Sequence, residues 1–153
     1  KANILPWNDE KKREAAKKSS YFESPSYPNK KNPKFINVVV SIQTKLSPID
    51  LLKVLISIEE ILGRIRKKKN DPRTCDIDVI DYNNQIMDIK IGKLSLKTPH
   101  KKIKYRNFVL YPLREIAPEW KHPETKMNIN KLIEKLPDME KKSILKVHKS
   151  WYI

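Results

Sequence analysis

Gly63-Arg64-Ile65-Arg66-Lys67-Lys68-Lys69-Asn70-Asp71-Pro72-Arg73-Thr74-Cys75-Asp76-Ile77-Asp78 is the stretch around which the rest of the chain is organised. A dense block of cations ends in Pro72 and Arg73, and apolar and acidic residues then alternate as they do along a half-buried strand. Asp76 and Asp78 fall on one face of that strand, while Cys75, Ile77 and Val79 face the other way, into a core. At a rise of roughly 3.3 Å per residue the two carboxylates stand about 6–7 Å apart, close enough to grip a shared pair of hard cations. Two acids alone fit a solvated strand face equally well. The guanidiniums of Arg64, Arg66 and Arg73 change the weighing, because their forks match phosphate oxygens and would neutralise the acid pair unless a metal sits between them. Cations beside a metal-binding acid pair are what a polyphosphate demands.

With 153 residues and 39% hydrophobic content, the chain is expected to form one domain, 1–153, around a single modest core. Thirty-three Lys and Arg against 18 Asp and Glu give a formal charge of +15, which favours anionic partners: nucleotides, nucleic acid or an anionic membrane surface. Heavy use of lysine, asparagine and isoleucine throughout lowers the weight of charge alone. The single Cys75 excludes an intrachain disulfide framework and reads as a small core hydrophobe. No Cys/His cluster suggests zinc, and nothing reads as a secretory signal or a membrane-spanning run, so the cytoplasm is the expected compartment.

Lys1 to Lys18 contains few apolar residues after Ala2-Asn3-Ile4-Leu5, and is expected to be exposed or mobile. Ser19 to Glu23 reads as a short strand, followed by an irregular loop through Pro25, Pro28 and Pro33. Phe35 to Thr44 is the most strand-like run, apolar on both faces and therefore interior. Asn37 within it must find hydrogen-bond partners: either it bonds backbone, or it reads the edge of a heterocycle with Phe35 offering a ring face.

Ser47-Pro48-Ile49-Asp50 is a helix start, with a hydroxyl cap and proline at the first position. The helix is expected to run to about Leu62, to bury Leu51, Val54, Leu55, Ile58, Ile61 and Leu62, and to stop at Gly63; Glu59, taken alone, is an exposed helix acid. Lys67 to Asp71 reads as a solvated lid able to close over a triphosphate. Val79 to Tyr82 ends the acid-bearing strand, Asn83-Asn84 makes a turn, and Ile86 to Ile91 forms its hairpin partner with Gly92 at the end. Arg106 to Ala117 reads as a helix kinked or restarted at Pro112, burying Phe108, Leu110, Leu113 and Ile116. His100, His122 and His148 taken alone are surface residues. Asn128 to Leu136 is a last short helix, and 141–153, with Trp151 and Tyr152, is either a closing strand or a partner-binding extension.

The Arg-x-Arg at Arg64 and Arg66, followed by Pro72-Arg73-Thr74-Cys75-Asp76-Ile77-Asp78, closely resembles the signature of the 6-hydroxymethyl-7,8-dihydropterin pyrophosphokinase family. Thr98-Pro99-His100, Tyr105-Arg106-Asn107-Phe108-Val109-Leu110-Tyr111-Pro112-Leu113 and Glu115-Ile116-Ala117-Pro118 resemble a second block of the family. Ser19-Ser20-Tyr21-Phe22-Glu23-Ser24-Pro25 with Phe35-Ile36-Asn37 resembles a third.

The resemblance implies an α+β, ferredoxin-like fold, with an antiparallel-rich sheet and helices on its faces. It implies transfer of pyrophosphate from ATP to the hydroxymethyl group of the reduced pterin, releasing AMP, in folate biosynthesis. By the same resemblance Asp76 and Asp78 hold two Mg²⁺ ions and, with Arg66 and Arg73, carry catalysis. ATP would be held by Glu59, Arg66, Arg73, Val79, His100 and Arg106, and the pterin by Ser24, Pro25, Tyr27, Phe35, Asn37, Asp76 and Phe108. A monomer is implied, with ATP and reduced pterin as partners and neither nucleic acid nor membrane. The family opens with a hydrophobic strand, a Gly-Ser-Asn turn and a helix that are not legible in 1–18, so this opening is read as atypical or incomplete. Ile56, Ser95 and Asn107 stand where glutamine, arginine and glycine are more usual, which implies altered ATP contacts. The rival readings are a basic nucleic-acid-binding module, an inactive relative serving as an interaction protein, and a Mg²⁺-dependent phosphotransferase that makes ADP.

Overall fold

The computed structural model describes residues 2–6, 17–26, 33–63 and 75–147, the first of these as backbone only. Arg66, Arg73, Tyr27, His148 and the expected lid over 67–71 lie outside the described residues.

The elements run β1 (Ala2–Pro6), β2 (Lys17–Lys18), β3 (Tyr21–Ser24), β4 (Phe35–Ile42), α1 (Pro48–Ile61), β5 (Ile77–Val79), β6 (Met87–Ile91) and β7 (Leu94–Thr98). A 3₁₀ turn (Ile103–Tyr105), α2 (Asn107–Ile116), α3 (Ile129–Glu134), α4 (Asp138–Lys142) and β8 (Leu145–Val147) follow. The fold is α+β. Its main sheet has the order β5-β1-β4-β3-β8, with β2 also pairing β4. The β2, β3 and β8 pairings are antiparallel, whereas β1 runs parallel to both β4 and β5. The sheet is thus antiparallel-rich with a parallel corner, and that corner carries the aspartates.

β4 is the hub because its β-branched, two-sided apolar run can be covered on both faces. Val39 belongs to a core built with Leu110, Leu113, Leu132 and Ile80, under α2 and α3. Ile42, on the opposite face by alternation, packs against a second core of Leu51, Leu55, Val79 and Leu96 under α1. Full burial of each such aliphatic side chain contributes roughly 1.5–3 kcal/mol. Ser19 carries the ladder across the break between β2 and β3: its N–H donates to Val39 O at 2.9 Å, and its Oγ accepts from Val39 N–H at 3.0 Å.

Several expectations are corrected. The opening segment is not devoid of a strand: β1 is a central strand, in register from Ala2 opposite Val38 to Pro6 opposite Ile42 and from Ala2 opposite Ile77 to Ile4 opposite Val79. A five-residue run containing Asn3 and ending in proline has too weak a local pattern to declare itself; its two neighbours decide it. β6 does not pair with β5. It forms a separate two-stranded sheet with β7, turning at Gly92 (φ 57°), while Asn83 and Asn84 (φ 51° and 55°) make the expected turn.

α1 starts as predicted, with Ser47 Oγ accepting from Asp50 N–H and Gly63 at φ 86° beyond its end. Its buried stripe is narrower than expected: Leu51, Leu55 and Glu59 are inside, whereas Val54, Ile58, Ile61 and Leu62 are exposed. α2 runs through Pro112 as one helix. Of the tail, Leu145–Val147 closes the sheet as strand β8, preceded by the unforeseen helix α4; 148–153, with Trp151 and Tyr152, lie outside the described residues. No described helix is long and apolar enough to cross a membrane.

Candidate functional site

Ile77 and Val79 pack toward α1, so alternation along β5 turns Asp78 to the opposite face, where α2 begins. Arg106, the N-cap of α2, meets it there: Nη1 donates to Asp78 Oδ2 at 2.7 Å. The two side chains are 17% and 23% exposed, so this ion pair is largely withdrawn from solvent. The Arg106 guanidinium also lies 5.5 Å from the centre of the Phe108 ring, within cation–π range. Asp76, half-buried, precedes the strand by one residue. Among the described residues no group of three or more His, Cys, Asp or Glu gathers to hold a metal.

Glu59 is a surprise. Only 2% exposed, its Oε1 accepts from Ile77 N–H at 2.7 Å, tying α1 to the residue between the two aspartates. The plain reading of an exposed helix acid does not hold, because Glu59 continues the i, i+4 stripe of Leu51 and Leu55, a signal present in the sequence. Val79 is 5% exposed and its side chain belongs to the α1 core, so its side chain is not offered to a ligand.

His100 follows the cis Thr98–Pro99 bond; its N–H donates to Ile80 O at 2.9 Å and its Nδ1 accepts from Lys102 N–H at 3.2 Å. These bonds place it next to the strand that leaves Asp78.

On the other side of the sheet's hub, Asn37 is 1% exposed. Its Nδ2 donates to Ser24 Oγ at 2.9 Å, Phe22 O at 3.1 Å and Phe35 O at 3.3 Å. The amide hydrogens thus have acceptors within the protein. Ser24 is buried by this bond, Pro25 is half-buried, and Phe35 is exposed. Phe108 is partly buried against the α2 core.

The sequence also missed a polar group at the far end of α2. His122 is buried rather than on the surface, because Nδ1 accepts from Glu124 and Thr125 N–H and its ring meets Trp120 edge-on at 5.9 Å. Burial pushes its pKa below the usual histidine value. Trp120 donates to buried Asp81 Oδ2 at 2.9 Å, while Asp81 Oδ1 has no hydrogen-bond partner among the described residues. Nearby, a cleft of about 530 Å³ is lined by Asn84, Pro118, Trp120, Lys121 and Lys126; it contains none of the predicted site residues.

A model of the 7,8-dihydro-6-hydroxymethylpterin-pyrophosphokinase (HPPK) family matches residues 3–118. The chain belongs to the HPPK family. The 2-amino-4-hydroxy-6-hydroxymethyldihydropteridine pyrophosphokinase of Synechocystis is 41% identical over 118 residues, 77% of this chain and 58% of that protein. Its counterpart in Pseudomonas aeruginosa is 40% identical over 92 residues, covering 60% and 54%. That of Haemophilus influenzae is 35% identical over 120 residues, covering 78% and 72%. The chain spans a little over half the length of the first two of these relatives. The HPPK match takes in β1, both aspartates, Arg106 and all of α2; α3, α4 and β8 lie past it.

Proposed function

We propose that this chain transfers the pyrophosphoryl group of ATP to the hydroxymethyl oxygen of 6-hydroxymethyl-7,8-dihydropterin, releasing AMP, as a step of folate biosynthesis. The observation that carries this reading is the meeting of Asp78 with Arg106 at 2.7 Å, beside Asp76, in a chain of the HPPK family. The hydroxymethyl oxygen attacks the β-phosphorus in line. The bond from that phosphorus to the oxygen it shares with the α-phosphorus breaks, AMP departs with that oxygen, and the hydroxyl proton leaves to solvent. Chemistry of this kind needs positioning and dispersal of charge more than covalent help.

Asp76 and Asp78 suit Mg²⁺: the donor set is all carboxylate oxygen, and both residues keep part of their surface open to the waters and phosphate oxygens that Mg²⁺ keeps. Two ions held there would neutralise phosphate charge and acidify a coordinated hydroxyl. Arg106, Arg66 and Arg73 supply guanidiniums to the phosphate chain, and His100 adds a contact. Glu59 serves the nucleotide by fixing Ile77 and so both acids, and Val79 can serve it only through its backbone. Ser24, Pro25, Tyr27, Phe35, Asn37, Asp76 and Phe108 form the pterin side, with Asn37 acting as an acceptor. The same reading makes the fold ferredoxin-like and residues 1–153 one domain. It makes the protein a cytoplasmic monomer without a nucleic-acid partner.

The test mixes protein, MgATP and the reduced pterin alcohol and identifies the nucleotide formed. AMP that accumulates only with all three supports the reading. ADP would mark an ordinary phosphotransferase. Binding of ATP or pterin without AMP would mark an inactive relative, and salt-dependent affinity for nucleic acid without either would mark the basic module.

A further inference from the structure

Asn107 is the first residue of α2 and is 2% exposed. Each end of its amide is used. Oδ1 accepts from Phe108 N–H at 2.6 Å, and Nδ2 donates to Glu140 O at 2.6 Å and to Ser143 Oγ at 2.9 Å. Ser143 Oγ donates to the same Glu140 O at 3.0 Å, closing a small ring of bonds. Glu140 lies on α4 and Ser143 caps its C-terminal end.

The other end of α2 is held in a similar way. Glu115 Oε1 accepts from Ser20 N–H at 2.9 Å and Ser20 Oγ at 2.7 Å, while its Oε2 lies 3.3 Å from Lys146 Nζ on β8. α2 is therefore gripped at both ends, and residues 140–146 reach both grips.

The first turn of a helix is where unbonded N–H groups fray, and Arg106, the N-cap, makes no side-chain capping bond of its own. Asn107 supplies what Arg106 does not. Its neighbours on either side are Arg106, whose guanidinium is bonded to Asp78, and Phe108, whose ring lies 5.5 Å from that guanidinium. The Phe108 ring is also held by the α2 core, but among the described contacts Arg106 depends on Asp78, Phe108 and the first turn itself.

We infer that Asn107 is a positioning residue. By pinning the first turn of α2 to Glu140 and Ser143, it sets the place of the Arg106 guanidinium opposite Asp78 and so toward the nucleotide phosphates. The α4 segment, past the residues the HPPK family model matches, is then part of the working site rather than an appendage. The direction toward phosphates rests on the proposed function; the pinning of Arg106 does not.

The test uses the full chain and two variants that cut the same tie from opposite sides, Asn107→Ala and Ser143→Ala. Three quantities are read: the urea unfolding midpoint, the ¹H–¹⁵N resonance of the Arg106 side chain without ligand, assigned by its loss in Arg106→Lys, and the kinetics of AMP formation. In both variants the Arg106 resonance shifts or broadens, and KM for MgATP rises about tenfold, since small misplacements of a positioned group carry large kinetic costs. KM for the pterin alcohol stays near the parent value, because the core holds Phe108. A merely structural role would lower the unfolding midpoint and leave the resonance and the two KM values in their parent ratio, and that result overturns the inference. If Asn107→Ala does not fold, Ser143→Ala, which removes one bond from the half-exposed end, decides on the same readouts. If the resonance moves but the parent protein forms no AMP, the positioning stands and the proposed reaction falls.

Discussion

Arg106 Nη1 and Asp78 Oδ2 are 2.7 Å apart across the seam between β5 and the start of α2, with both side chains mostly out of water. Sequence separates them by 28 residues. The pair joins the two halves of the site: the acid that would face the metal and the guanidinium that would face phosphate. A charge-assisted bond of this length keeps each partner's orientation fixed before any ligand arrives.

Arg106→Ala removes a preorganised charge and leaves Asp78 partly buried without its partner. Turnover should fall by about 10²–10³, as when one preorganised donor to a charged transition state is removed. Stability should fall by roughly 1–3 kcal/mol, below the loss for a fully buried pair because some solvent reaches both groups. Arg106→Lys should recover most of the stability but little of the turnover, since an ammonium lacks the planar fork. Urea unfolding and AMP release, measured side by side, separate the two effects.

Glu59 tests whether the acid strand is held from behind. In Glu59→Ala the Ile77 N–H loses its acceptor inside the protein, a loss of about 1–3 kcal/mol. Glu59→Gln keeps an acceptor oxygen at that place and should unfold close to the parent protein. If alanine and glutamine behave alike in urea, the 2.7 Å bond to Ile77 is not what fixes the strand.

Asp81 gives a pH dependence with a definite sign. Burial pushes its pKa above the usual carboxylate range, against the opposing effect of the Trp120 indole N–H. A raised folded-state pKa means that the folded protein binds the proton more tightly, so stability declines as pH climbs from about 4 through that value. Asp81→Asn removes the ionisation. The stability of the variant relative to the parent should therefore grow with pH over this window, and a difference independent of pH would remove Asp81 as the source.

The turn of the acid strand was more legible in the sequence than the frame around it. Alternation at Cys75 to Val79 correctly turned Ile77 and Val79 to a core and Asp78 away from it, because period-two patterning is a local property. The start of α1 was legible for the same reason, since Ser47, Pro48 and Asp50 act within one turn. β1 was not legible: its identity comes from β4 and β5 on either side, and these pairings span tens of residues. The partner of β6 was misjudged: it pairs with the next strand, β7, across the short turn at Gly92, and not with β5, which pairs with β1.

Polar burial was the commonest miss. Glu59 and His122, taken alone, read as solvent-facing residues, but the Ile77 N–H, 18 residues away, meets Glu59, and the N–H groups of Glu124 and Thr125, in the turn that follows it, meet His122. The helical step from Leu55 to Glu59 was the one clue available beforehand.

The reaction itself is tested most directly with ATP labelled at the β-phosphorus, incubated with Mg²⁺, the protein and 6-hydroxymethyl-7,8-dihydropterin. Label should move intact into a diphosphorylated pterin while unlabelled AMP forms in equal amount, and Asp76→Ala and Asp78→Ala should each abolish that movement while still folding. Label found instead in ADP or in free pyrophosphate, or transfer that survives the loss of both carboxylates, would contradict the proposal.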